Sequence, residues 1–264
     1  MAGDEMVTAA VCVIGNEILS GRTQDANIAF LGRSLNEIGI QLREVRIVPD
    51  IREEIVDAVN ALRARYDYVF TTGGIGPTHD DITAESIGAA FGLPVGYHPV
   101  SYARMEAWYR ESGREFTEAR KRMAMTPEGA ELLENELTIA PGFKVENVFV
   151  LAGVPRIARA MFEAAKPHLK RRGRSVLSRA ISTHLVEGVL AKGLGEIQQR
   201  HPEADIGSYP FYNGPGGHGV MLVIRSVDPG ELDRGGAEVR ALIAELGGDV
   251  IDDVTGDITI DAGT

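Results

Sequence analysis

Two adjacent carboxylates directly behind a glycine-rich turn are the residues of this sequence best suited to chemistry. The run is Thr71-Thr72-Gly73-Gly74-Ile75-Gly76-Pro77-Thr78-His79-Asp80-Asp81. Its glycines let the main chain approach a ligand closely and leave N–H groups free to point at an anion. Pro77 fixes the turn, and the start of the helix behind it adds a partial positive charge. Carboxylates do not bind phosphate themselves, but they hold Mg²⁺-like ions that do. The run therefore reads as a nucleotide or pyrophosphate cradle, built on Thr72, Gly73, Gly74, Gly76, Pro77 and Thr78, with a metal site at Asp80 and Asp81. A plain strand-to-helix turn with an aspartate as helix N-cap accounts for the same residues structurally.

Other stretches converge on the same chemistry. Gly15-Asn16-Glu17-Ile18-Leu19-Ser20-Gly21 follows an apolar run, and a polar Asn16-Glu17 pair at a strand's carboxyl end is where open α/β sheets place ligand contacts. Asn27, in the first turn of the next helix, is expected to face the same crevice. Asp50 has capping-box spacing to Glu53, so it is fully explained as a helix cap. Its functional reading depends on lying at the end of a neighbouring strand. The turns at Pro141-Gly142 and Gly153-Val154-Pro155 read as further loops on the crevice rim.

The elements that must position these residues follow from periodicity. Val7 to Ile14 is a nearly continuous apolar run, as in a central parallel strand. Asp25 to Ile38 reads as a helix closed by Gly39, and Ile40 to Val48 as a strand whose alternation shifts phase near Arg43, which marks a bulge. A helix from Asp50 to Ala64, a buried strand from Tyr66 to Phe70 and a helix from Ala84 to Phe91 complete a β-α-β-α-β-α order, hence a doubly wound, mostly parallel sheet. Pro99 to Ser112 is helical and carries Trp108 and Tyr109, both read as packing residues. Arg114, Arg120, Lys121 and Arg122 read as a solvated helix face. Glu146-Asn147 reads as the turn of a hairpin returning through Val148 to Leu151.

After Lys170-Arg171-Arg172-Gly173-Arg174, which reads as a linker, the pattern changes. Val176 to Val189 is expected as a strand, Gly195 to Arg200 as a short helix, and Asn213-Gly214-Pro215-Gly216-Gly217 as a loop. The resulting β-α-β-β-α-β order is the ferredoxin-like split motif. His201 and His218 read as isolated surface residues. Two domains are expected, residues 1–170 and 175–264.

The chain has 264 residues, 44% of them hydrophobic and 25% charged, with a net charge of −11. That charge argues against coating nucleic acid. Cys12 is the single cysteine, so no disulfide forms within the chain. This fits a reducing cytosol and a cytoplasmic protein. No run of about 18 apolar residues is available to span a membrane, and the acidic start lacks a signal peptide's basic and apolar regions. P-loop, dinucleotide-fold and nucleophile-elbow signatures are missing from the sequence.

Four stretches occur in the order and near the spacings of one family: Gly15 to Gly21, Thr72 to Thr83, Ala140-Pro141-Gly142-Phe143 and Gly153-Val154-Pro155. They resemble the N-terminal part of the CinA family (competence/damage-inducible protein A), within the MoaB/Mog molybdopterin-binding superfamily. The likeness covers about Val7 to Leu169, and the second region resembles the small KH-like or ferredoxin-like domain that follows in CinA. It does not extend to the family's nicotinamide-nucleotide amidase domain. The resemblance implies a three-layer α/β fold that binds molybdopterin or an ADP-containing nucleotide and assembles as a dimer or trimer. It implies Mg²⁺-dependent adenylyl transfer in the Mog branch, with the two aspartates at Asp81 and Asp50. In the CinA branch it implies hydrolysis of ADP-ribose at its pyrophosphate, assisted by a divalent metal such as Mg²⁺ or Co²⁺ and by potassium. Position 79, often lysine in the family, is His79 here, which reduces fixed positive charge near a phosphate.

The expected function is a metal-dependent pyrophosphatase on ADP-ribose or a similar nucleotide. In it Asp81 and Asp50 hold the metal and Glu17 orients or deprotonates water. Asn16, Asn27, Thr72, Gly73, Gly74, Gly76, Pro77, Thr78, Asp80, Pro141, Gly142, Gly153 and Pro155 are expected to bind the ligand. Molybdopterin adenylyl transfer and a non-catalytic molybdopterin- or nucleotide-binding module remain as alternatives.

Overall fold

The computed structural model describes residues 6–170, 174–212, 217–256 and 258. The chain divides into two compact units, 1–173 and 174–264.

In the first unit, β1 (Val7–Ile14) is followed by a single turn α1 (Asn16–Leu19), then α2 (Asn27–Glu37), β2 (Ile40–Val48), α3 (Arg52–Arg63), β3 (Tyr68–Thr72) and α4 (Thr83–Phe91). A small antiparallel pair, β4 (Val95–Tyr97) and β5 (Met125–Pro127), brackets α5 (Pro99–Glu111) and α6 (Glu118–Arg122). Strands β6 (Glu131–Leu133), β7 (Gly142–Val145) and β8 (Val148–Leu151) then lead into α7 (Pro155–Ala165).

The main sheet runs β2-β1-β3-β8-β7-β6. Its first four strands are mutually parallel, and β7 is antiparallel to both of its neighbours. The nearly continuous apolar run of β1 is explained by burial on both faces from Ala9 onward. Ala10, Cys12 and Ile14 pack with Ile55, Val59 and Leu62 of α3 and Ile87 of α4. Ala9, Val11 and Val13 pack with Leu31 and Leu35 of α2 and Met161 and Phe162 of α7. Burial pushes the Cys12 thiol up to about 12, so it is inert. Arg43 is the extra residue of a bulge, because Ala9 pairs with Leu42 and Ala10 with Glu44. The β7–β8 hairpin closes over Glu146-Asn147, with Glu146 at φ 48°.

β1 is the strand from which the order departs in both directions, β2 on one side and β3 on the other. Open α/β sheets leave a crevice at the carboxyl ends of strands around such a switch. The turns Gly15–Gly21 and Gly73–Asp81 leave the sheet at that end.

The second unit is β9 (Leu177–Thr183), α8 (Glu187–Arg200), β10 (Asp205–Tyr212), β11 (His218–Ser226), α9 (Pro229–Glu245) and β12 (Val250–Thr255). Its sheet is antiparallel throughout, in the order β10-β11-β9-β12, the arrangement of the split β-α-β motif. Three expectations need correcting. The strand expected to reach Val189 ends at Thr183, and the short helix expected from Gly195 begins at Glu187. Leu190 and Ile197, seven positions apart and so on one helical face, are the residues α8 buries. His201 is not an isolated surface residue: it is 5% exposed and bonded to Glu231 and Glu238. His218 is exposed, as expected. Residues 171–173 of the expected linker and 213–216 of the expected loop lie outside the described residues. Among the described residues no helix is long and apolar enough to cross a membrane.

Candidate functional site

The glycine turn is shaped by two close approaches. Gly73 has φ 101°, and a Cβ there would stand 2.2 Å from the Ile14 carbonyl oxygen. Gly74 has φ 66°, and its Cβ would stand 2.2 Å from Thr83 Oγ1. Only glycine permits both. Thr83, fully buried at the start of α4, donates its hydroxyl to the Gly73 carbonyl at 2.9 Å and its N–H to the Gly74 carbonyl at 3.0 Å. The turn is thereby tied down through its carbonyls, which frees its N–H groups. Gly73 is the exception, since its N–H donates to the Leu151 carbonyl at 3.2 Å. The N–H groups of Gly74, Ile75 and Gly76 have no partner among the described residues. The free N–H groups therefore begin one residue later than the expected cradle: Gly73 supplies the bend, and Ile75 joins Gly74 and Gly76 as an unpaired donor.

The acids are held behind this cradle. Asp81 is not the cap of α4, which begins at Thr83 with Ile82 as N-cap. Instead, Asp81 Oδ2 accepts the Thr78 N–H at 2.7 Å, with the Thr78 hydroxyl at 2.5 Å. The same hydroxyl lies 2.6 Å from Asp80 Oδ1, so its one proton serves two carboxylates. This hydrogen bond holds the Asp80 carboxyl below its usual range. Gly76 lies directly under Asp81, whose Oδ2 would be 2.7 Å from a Cβ at that position.

Asp50 departs from its capping-box reading. Ile51 is the N-cap of α3 and no side chain caps that helix. Asp50 turns instead toward the end of β1, where its Oδ2 accepts the Asn16 N–H at 2.9 Å. This is the neighbouring-strand placement on which its functional reading depended.

One cleft of about 1110 Å³ gathers these groups. Glu17, Asp50, Gly73, Gly74, Gly76, Pro77, Thr78, Asp80, Asp81, Pro141, Gly153 and Pro155 all line it. Asn16, Asn27, Thr72 and Gly142 do not. Asn16 contributes its backbone N–H to Asp50, and Thr72 is buried in β3. Gly142 starts β7, where a Cβ would meet the Val150 carbonyl oxygen at 2.5 Å. Asn27 is 3% exposed and supports the rim from below, donating Nδ2 to the Gly153 carbonyl at 2.9 Å.

The cleft also contains residues that sequence reasoning assigned elsewhere or passed over. Arg104, Trp108 and Tyr109 of α5, Arg114, Thr23 and the segment Asn135–Pro141 line it. The basic cluster is not one solvated helix face: Arg114 is exposed but lies between α5 and α6, and Arg120, Lys121 and Arg122 of α6 are half-buried. Arg114 lies over the Trp108 ring at 5.5 Å, and Arg120 over Tyr109 at 4.9 Å. Arg122 donates to the Asp81 carbonyl at 3.1 Å and to Glu85 at 2.9 Å, pinning the acidic end of the turn. A clue was present in the sequence: cations outside a strict helical stripe and next to aromatic residues.

The charge balance of the cleft decides what it takes up. Glu17, Asp50, Asp80, Asp81 and Glu136 face only Arg104 and Arg114. A pyrophosphate is repelled there unless a cation intervenes. Asp81 Oδ1 and Asp50 Oδ1 accept no hydrogen bond among the described residues. Hard oxygen donors of this kind fit Mg²⁺. Among the described residues no three His, Cys, Asp or Glu side chains converge into a complete metal cage. The donor set therefore fits an ion whose shell is completed by ligand phosphate and water, the usual arrangement for Mg²⁺.

Comparison with known proteins places this geometry in a family. Residues 10–171 match the family described as "Probable molybdopterin binding domain", and residues 175–252 match "FAD synthase, middle domain". A Thermococcus kodakarensis protein is 36% identical over 242 residues, covering 86% of this chain and 93% of its own length. An Aeropyrum pernix protein is 41% identical over 166 residues, covering 61% of this chain and 62% of its own length. The crystal structure of the protein CinA of unknown function from Thermoplasma acidophilum is 32% identical, with a TM-score of 0.57, over 63% of this chain and 99% of that one. The chain thus belongs to the family of molybdopterin-binding domains of the MoaB/Mog and CinA type.

Proposed function

We propose that the cleft hydrolyses the pyrophosphate bond of ADP-ribose or a related nucleotide with the help of a divalent metal. The observation that carries this reading is the pairing of unpaired N–H groups with two anchored carboxylates, each with a second, unpartnered oxygen and both lining the same cleft. Asp81 and Asp50 hold the ion, Mg²⁺ or Co²⁺. When bound, the ion neutralises charge on the pyrophosphate oxygens. The N–H groups of Gly74, Ile75 and Gly76 orient the same oxygens. Glu17 lines the cleft, and its carboxylate accepts no hydrogen bond among the described residues while its main-chain carbonyl is held by Ser20, Arg22 and Thr23, which supports its role as the base that takes a proton from water. The water oxygen bonds to one phosphorus, and the bond from the bridging oxygen to that phosphorus breaks. AMP and ribose 5-phosphate leave.

The match to a molybdopterin-binding family favours a second reading, in which molybdopterin occupies the cleft and its adenylylation replaces hydrolysis. Incubation with ADP-ribose, with and without Mg²⁺, Co²⁺ and K⁺, followed by product analysis, tests the first. Metal-dependent release of AMP and ribose 5-phosphate supports it. Tight ligand binding without turnover under any of these conditions contradicts it and favours a binding module.

A further inference from the structure

Helix α5 buries Ser101, Met105 and Tyr109 at four-residue spacing, which defines its core stripe. Trp108 stands one position off that stripe and is 38% exposed, whereas Tyr109 is 7% exposed. Tyr109 is locked: Phe116 stacks on it at 5.1 Å and 15°, and Arg120 lies over its ring. Trp108 meets Tyr109 edge-on, at 4.9 Å and 90°, so a fixed ring supports it. Gly113, at φ 66°, reverses the chain after α5 so that the Arg114 N–H returns to the Tyr109 carbonyl at 3.0 Å. The turn brings the Arg114 guanidinium over the indole. In a chain with 38 acidic residues against 27 basic ones, Arg114 makes no ion pair among the described residues. Leu137, half exposed, lines the same cleft from a segment stapled by Asn135, whose Oδ1 accepts the N–H groups of Leu137 and Thr138.

An exposed indole beside an unpaired guanidinium, on a rigid support and facing a cleft, is the chemistry that stacks a planar heterocycle. We infer that Trp108 and Arg114 form the subsite for a planar nitrogen heterocycle, adenine or pterin, on the ligand whose phosphate lies at Gly74–Gly76. The inference rests on the cleft reading above and adds the part of the ligand that this reading leaves unassigned. The volume, about 1110 Å³, accommodates a base together with its phosphates.

Trp108 is the only tryptophan of the chain, so its emission reports on this wall alone. The full chain with Mg²⁺ is titrated with AMP, pterin, ribose 5-phosphate and imidodiphosphate. AMP or pterin is expected to quench the emission, and whichever binds tighter identifies the base; ribose 5-phosphate and imidodiphosphate bind without quenching. Calorimetry on Trp108→Ala is expected to show binding of the base-bearing probe weakened about ten- to hundred-fold, with imidodiphosphate affinity unchanged. Trp108→Phe, which keeps a ring, restores most of the loss. Unchanged imidodiphosphate affinity also shows that the variant is folded. Equal quenching by probes without a base, or full affinity for both AMP and pterin in Trp108→Ala, overturns the inference alone. Failure of every probe to bind the wild-type chain overturns the cleft reading and this inference with it.

Discussion

The carboxylate of Asp50 accepts the Asn16 backbone N–H at 2.9 Å, joining the carboxyl end of β2 to that of β1. A parallel main-chain bond, Gly15 N–H to the Val48 carbonyl at 3.1 Å, lies beside it. Asp50 is thus fixed where both strands open into the cleft. Asp50→Asn keeps an acceptor for the Asn16 N–H and removes the charge. It is expected to leave the melting temperature nearly unchanged and to lower turnover on the order of 10²-fold. Asp50→Ala also loses the hydrogen bond, at a further cost of about 1 kcal/mol in stability. Thermal melts and initial rates on both variants check this.

The two ends of the cradle respond differently to an added methyl group. At Gly76 the Cβ would meet only the far end of the Asp81 side chain, at 2.7 Å. Gly76→Ala is expected to fold normally and to displace that carboxylate, so its loss appears in metal dependence. At Gly74 the Cβ would meet buried Thr83 in a left-handed backbone. Gly74→Ala is expected to destabilise by about 1–2 kcal/mol from backbone strain, with additional loss from the clash. Equal melting temperatures for the two variants would contradict this account of the turn.

Much of the scaffold was legible because each signal was local. The β1 run, the phase shift at Arg43 and the Glu146-Asn147 turn each have a short-range cause that survives tertiary packing. The cap reading of Asp50 failed because capping-box spacing is local, whereas its partner Asn16 is 34 residues away. The strand expected to Val189 overran because Leu185, Val186 and Val189 suit a strand as well as a helix, and burial of Leu190 and Ile197 decided between them. Trp108 was read as packing because an aromatic residue on a helix packs by default. Only the fold shows that Tyr109 takes the buried position and leaves Trp108 facing the cleft.

His201 gives the second unit a pH dependence of its own. Its ring lies 2.5 Å from Glu231 and 3.1 Å from Glu238, which in turn bind Arg234 and Arg200. Burial by itself lowers His201, but the hydrogen bonds to the two glutamates outweigh it and hold the imidazolium above its ordinary 6.5. Arg234 and His201 hold Glu231 below 4.5, and Arg200 and His201 do the same for Glu238. A raised histidine value gives stability that is complete below pH 6.5 and lost as pH rises through the folded value. The lowered carboxyls give stability that is complete above pH 4.5 and lost as pH falls through their folded values. Amide exchange in α8 and α9 is therefore expected to be slowest, after correction for intrinsic rates, between these limits. Replacement by His201→Gln should flatten the alkaline limb. Protection that does not fall as pH rises well above 6.5 would show that His201 is not charged in the fold.

Asp81 is the residue on which the proposed chemistry depends most directly. Its Oδ2 is occupied by Thr78, and its Oδ1 accepts no hydrogen bond among the described residues. Asp81→Asn keeps an acceptor for the Thr78 N–H and removes the negative charge, so it separates the structural role from the electrostatic one. The decisive measurement is ADP-ribose hydrolysis at saturating Mg²⁺ by wild type and Asp81→Asn, with melting temperature recorded on the same samples. The account predicts metal-dependent release of AMP and ribose 5-phosphate by the wild type, a loss on the order of 10²-fold in Asp81→Asn, and closely similar melting temperatures. Near-wild-type turnover by a folded Asp81→Asn protein, or no hydrolysis by the wild type with any divalent ion, would contradict it.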